Sequence, residues 1–85
     1  MSRYKVLILN DEVNHIATVM SALCDIFGYS PDKSKKTAET IGRGMGMVVA
    51  TYCRKGKALE KAGKALALGL TVRVGEISKN SQGIK

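Results

Sequence analysis

Tyr4-Lys5-Val6-Leu7-Ile8-Leu9 runs directly into Asn10-Asp11-Glu12. Five of the first six residues are aromatic, β-branched or aliphatic, the types that fit a pleated, half-buried surface. The three that follow bond readily to their own backbone and favour turns. This is a strand and its exit loop, and the rest of the chain has to pack against that strand. From Asn14 the period changes, with Ile16, Val19, Met20, Leu23, Ile26 and Phe27 falling at i, i+3, i+4, i+7, i+10 and i+11. That is one stripe of a helix. Asn14 suits its N-cap and Gly28 its left-handed stop.

Ser30-Pro31-Asp32 opens a second helix with a capping hydroxyl, a proline in the first turn and an acid at the positive end of the dipole. Its lysines 33, 35 and 36 face solvent, leaving Thr37, Ala38 and Ile41 for the core, and Gly42, Gly44 and Gly46 end it. Met47 to Cys53 is apolar on both faces and is expected as a central or covered strand. Arg54 to Leu68 is expected as a third helix, with Ala58, Leu59, Ala62 and Leu66 as its core stripe and Gly69 as terminator. Leu70 to Val74 alternates with period two and predicts a last strand. The order β-α-α-β-α-β predicts an α+β single domain, three helices packed on a small three-stranded antiparallel sheet. Residues 3–77 are expected to form this core domain and residues 78–85 a flexible polar tail.

A chain of 85 residues has room for one core. At this size only ~60–65% of the unfolded surface is buried, so no enclosed cofactor is expected and any ligand belongs at the surface. The net charge of +7 is unevenly placed. Residues 1–29 carry two basic and three acidic groups, residues 30–85 twelve basic and four acidic, so attraction to anionic partners belongs to the second part. Cys24 and Cys53 lack the CxxC spacing of a metal or redox site, and no secretory signal is read before the first strand. Both are expected as reduced core thiols of a cytoplasmic protein. No apolar run approaches the ~18 residues that span a bilayer, which argues against a membrane partner.

Enzymatic chemistry finds little material here. The chain has one histidine, His15, which reads as an exposed first-turn residue rather than a base beside a nucleophile. Asp11 and Glu12 are adjacent and point apart, which does not make a general acid and base couple. Gly42-Arg43-Gly44-Met45-Gly46 follows a helix and opens a strand, the reverse of a phosphate cradle. The lysines of the third helix could track phosphates, but no aromatic residues interleave with them, which argues against nucleic acid.

With Asn10-Asp11-Glu12 at the strand exit and Ile26-Phe27-Gly28 closing the first helix, the sequence resembles the ClpS family. These are adaptors that bring N-degron substrates to Clp ATPase-protease complexes. The resemblance covers about residues 3–77, is strongest in the first 28, and agrees with the β-α-α-β-α-β order. It implies a non-enzymatic adaptor without cofactor or metal. Its partners would be peptides that begin with Phe, Tyr, Trp or Leu, and the N-domain of a Clp AAA+ ATPase. Asn10 and Asp11 would bind the free amine, and Ile16, Ala38, Ile41 and Leu70 would line the pocket for the side chain. The same six residues also suit a solvated Asx turn and ordinary core.

The chain departs from the family pattern in three places. The family's amine-contacting histidine falls opposite Gly42, or Ile41 with a one-residue shift, and His15 would substitute only if the helix start turned it inward. The acidic and lysine contacts to the ATPase at the start of the third helix are replaced by Arg54, Lys55 and Lys57, which are expected to serve partner docking. Only Met1, Ser2 and Arg3 precede the first strand, where the family carries an extension that helps hand over substrate. A docking module that binds the ATPase without delivering N-degrons is therefore an alternative. The helix-strand ending, Ala58 to Leu66 followed by Val72 and Val74, is also similar to the ribosomal stalk C-terminal domain, which docks translation factors. A small basic nucleic-acid-binding domain is a third class.

Overall fold

A computed structural model describes residues 2–11, 15–44 and 46–78. The elements are β1 (Ser2–Leu9), α1 (Ile16–Phe27), α2 (Pro31–Arg43), β2 (Gly46–Tyr52), α3 (Lys55–Ala67) and β3 (Thr71–Ser78). Three helices and a three-stranded antiparallel sheet in the order β2-β1-β3 form one domain, as the sequence predicts. β1 lies at the centre, with Val6 and Ile8 fully buried beneath the helices.

β2 corrects the expectation of a central or covered strand. Among the described residues it is an edge strand paired only with β1, and Met47 and Val48 are exposed. The register explains where its apolar content goes. Ala50 pairs with Val6 and Val48 with Leu7, so Val49 is the extra residue of a bulge and turns into the core, where it is buried. The Tyr29 hydroxyl donates to the Val49 carbonyl at 2.6 Å and occupies part of the open edge. Gly46 opens the strand at φ 138°, and a Cβ there would stand 2.8 Å from the Ile8 carbonyl and 2.7 Å from a Leu9 methyl, so only glycine fits.

α2 is capped as read, with Ser30 accepting from the Lys33 amide at 3.3 Å, and Ser34, Thr37, Ala38 and Ile41 form its buried face. α1 buries Val19, Ala22, Leu23 and Ile26 and stops at Gly28, φ 73°. Asn14, expected as its cap, lies outside the described residues; His15 occupies the N-cap position in extended backbone without a side-chain cap bond.

α3 is rotated from its expected setting. Its buried face is Ala58, Ala62 and Ala65, small residues that let the helix lie close on the sheet, whereas Leu59 and Leu66 are 50% and 53% exposed. Cys53 is exposed and Cys24 half-buried, both free, so the expectation of two core thiols is also corrected. β3 runs four residues past Val74, because Gly75, which interrupts the alternation, pairs with Lys5 of β1. Ser78 ends that strand, and the expected tail beyond it lies outside the described residues. No described helix is long and apolar enough to cross a membrane.

Candidate functional site

The C-terminal end of β1 meets the first turn of α1, the last turns of α2 and the start of β3. Between them opens a surface cleft lined by Leu9, Asn10, Asp11, Ile16, Val19, Ala38, Ile41, Gly42 and Leu70, about 300 Å³ with the open space at its mouth. Asn10, Asp11, Ile16, Ala38, Ile41 and Leu70, far apart in sequence, therefore share one site. Leu9, Val19 and Gly42 complete the wall and were not singled out as pocket residues from sequence.

The chemistry is graded from rim to floor. Asn10 is exposed and Asp11 half-buried in the loop after β1, and Ile16, 48% exposed, stands at the first residue of α1. Val19, Ala38, Ile41 and Leu70 are buried and apolar. Leu70 is held by its amide, which donates to the Ala65 carbonyl at 3.3 Å at the end of α3. Ala38 and Gly42, one turn apart on α2, keep that wall low, and a Cβ built on Gly42 would meet nothing within 4 Å.

Asp11 is held across the fold. The Thr71 hydroxyl donates to its Oδ2 at 2.9 Å, bridging 60 positions of sequence. Thr71 sits opposite Leu9 in the β1–β3 register, which brings β3 beside the exit of β1. Sequence alternation marks Thr71 as a strand residue, but only the sheet order puts it next to Asp11. His15 is exposed and is not part of the cleft wall, so the substitution of this histidine for the missing one is not realised. Arg54, Lys55 and Lys57 are exposed at the start of α3. Burial raises the Tyr29 hydroxyl pKa, and burial, then Tyr29 and Glu60, raise that of Tyr52. Among the described residues no three His, Cys, Asp or Glu side chains converge as a metal site.

A carboxylate and an amide at the rim, above apolar walls, offer acceptors to a cationic head and contact area to an apolar tail. Fold and cleft together define a small α+β domain built around a surface pocket. The family model for the ATP-dependent Clp protease adaptor protein ClpS matches residues 1–73, and the chain belongs to the ClpS family. Among solved structures, it is similar to Agrobacterium tumefaciens ClpS2 bound to L-phenylalaninamide, with 28% identity and a TM-score of 0.83, over 89% of this chain and 98% of that one. No curated protein sequence matches it significantly.

Proposed function

We propose that this protein is a non-enzymatic adaptor that binds the free N-terminus and bulky hydrophobic first residue of N-degron proteins, Phe, Tyr, Trp or Leu, and passes them to a Clp AAA+ ATPase. The observation that carries the reading is the convergence of Asn10 and Asp11 with Ile16, Ala38, Ile41 and Leu70 on one cleft. An α-ammonium presents three donors and a charge, which suit the Asp11 carboxylate and the Asn10 amide oxygen in charge-assisted bonds. An internal peptide bond has neither. An aromatic first side chain would remove ~150–250 Å² from water, about 4–6 kcal/mol before the costs of association. The ligand of the similar ClpS2 chain, L-phenylalaninamide, has this combination of free amine and aromatic side chain.

Binding and hand-over need no nucleophile or cofactor. Arg54, Lys55 and Lys57 are assigned to the ATPase N-domain, and the cytoplasm is the compartment in which free Cys24 and Cys53 are at home. The test is fluorescence anisotropy of a labelled Phe-initiated peptide and its N-acetylated twin. The unblocked peptide binds the wild type, the acetylated one does not, and Asp11→Ala weakens binding at least tenfold. Equal binding of both peptides would refute the reading.

A further inference from the structure

The helices cover one face of the sheet and leave the other open. Val6, Ile8, Val72 and Val74 pack toward the helices, so the residues between them project from the opposite face. Strand pairing sets these in rows: Val48, Leu7 and Arg73 in one, Thr51, Lys5 and Gly75 in the next. Arg3 pairs with Ile77 at the far end, and Leu9 with Thr71 at the end nearest the cleft. A Cβ built on Gly75 would stand 3.1 Å from Lys5 Cε and 3.6 Å from its Cγ, so the lysine stem lies across β3 on this face. Arg3, Lys5 and Arg73 give the face its charge, and none of its described residues is acidic.

This face and the cleft share a seam. Leu70 turns into the cleft, whereas Thr71, the next residue, projects from the open face and donates to Asp11 Oδ2 at 2.9 Å. The carboxylate assigned to the substrate's amine therefore stands at the head of the open face. Arg73 lies two residues further along it, ~7 Å from Thr71, and the pair Lys5 and Gly75 ~13 Å away. An extended peptide rises ~3.3 Å per residue, so with its amine at Asp11 its third residue draws level with Arg73 and its fifth with Lys5. Half-buried Leu7 and exposed Val48 add apolar area beside the cations.

We infer that the open face of the sheet holds the segment of an N-degron protein that follows its first residue, and that Arg73 and Lys5 select acidic side chains there, at about the third to fifth residue. The inference rests on the adaptor reading and extends it from the first residue to the segment behind it. Charge and position choose this occupant. A second copy of the chain would set Arg3, Lys5 and Arg73 against the same three cations, which repels. Residues 78–85 carry two lysines and no acidic side chain, so charge does not draw them to the face. A nucleic acid finds no aromatic side chain to stack on among the described residues of this face. An acidic segment whose N-terminus sits in the cleft is already beside the cations, which raises its effective concentration at them.

The experiment is fluorescence anisotropy of the full chain with labelled Phe-initiated peptides of equal length at physiological ionic strength. One peptide has aspartate at its third and fifth residues, one has asparagine there, and one has the two aspartates at its ninth and eleventh. The near acids bind roughly three- to tenfold tighter than asparagine, as one or two exposed ion pairs allow. The distant acids lie beyond the ~8 Å screening length of the cations and give no such gain. Arg73→Gln with Lys5→Gln abolishes the difference, and Arg73→Glu makes the near acids the weaker ligand, with circular dichroism checking that each variant keeps its fold. Equal binding of the near-acid and asparagine peptides by wild type would overturn the inference and keep the adaptor reading. A gain of equal size from the distant acids would overturn it in favour of the net charge of the whole chain, and a gain that survives Arg73→Gln with Lys5→Gln would overturn the assignment to this face. Failure of all three peptides to bind would remove the adaptor reading itself, and the inference with it.

Discussion

Replacing Gly42 with histidine adds an imidazole to the cleft wall at a point where the backbone is helical and a Cβ meets nothing within 4 Å. Gly42 is exposed and lines the pocket beside Ile41, so the new ring reaches the rim where the ammonium is expected without displacing the core. A hydrogen bond to a charged group contributes ~1.5–3 kcal/mol when shielded. At this exposed site the lower end applies, about 1–1.5 kcal/mol, or roughly 5- to 10-fold in affinity. The helix gains a few tenths of a kcal/mol as glycine is removed. The effect has a sign in pH: a neutral imidazole accepts from the ammonium, while an imidazolium repels it, and the exchange occurs near pH ~6.5. Anisotropy with a Phe-initiated peptide measures it, with tighter binding by Gly42→His at pH 8 and none of that gain at pH 5.5. An equal gain for the N-acetylated peptide, or no gain at pH 8, would refute the placement of the amine.

Thr71→Val removes the donor to Asp11 and, at an exposed hydrogen bond worth about 1 kcal/mol, weakens the Phe-initiated peptide about fivefold, whereas Thr71→Ser restores binding; equal affinity in all three proteins would show that Asp11 needs no positioning. Alkaline stability follows from the raised Tyr29 and Tyr52 pKa values. A hydroxyl that holds its proton more tightly in the folded state leaves stability at its full value below the unfolded pKa of ~10, and stability declines as pH rises above it. Urea melts at pH 8 and 11 measure the decline, and Tyr29→Phe makes it shallower; the same slope with Tyr29→Phe would remove Tyr29 as its source. That variant costs about 1 kcal/mol at pH 8 through loss of the bond to Val49, so an unchanged midpoint there would contradict the role given to the β2 edge.

The parts of the fold that follow from local patterning were legible in the sequence. Ser30-Pro31-Asp32 and Gly28 carry their own backbone chemistry, and the stripe of α1 has a single amphipathic solution. Sheet order was not legible, because β2 is as apolar as a central strand and only the bulge at Val49 shows how an edge strand uses that content. The setting of α3 is hidden for a related reason: a stripe drawn through leucines looks like core, but the alanines permit the closer packing and win. By residue type Asn10 and Asp11 read as a turn at a strand exit, and their place at an amine site comes from the family resemblance. Ala38, Ile41 and Leu70 were named through the family resemblance, and their meeting in one cleft is a property of the three-dimensional fold. Thr71 stayed hidden because its partner lies 60 positions away, across a pairing that no local pattern encodes.

The central claim is that one cleft recognises a free amine together with a large apolar side chain. Backbone amide chemical shifts of the isotope-labelled protein, followed while L-phenylalaninamide is added and then repeated with the N-acetylated compound, test it most directly. The account predicts saturable shifts centred on Asn10, Asp11, Ile16, Gly42 and Leu70 with the free amine, and none there with the acetylated compound. Shifts of equal size with both compounds, or shifts that leave Asn10, Asp11 and Leu70 unmoved, would contradict it.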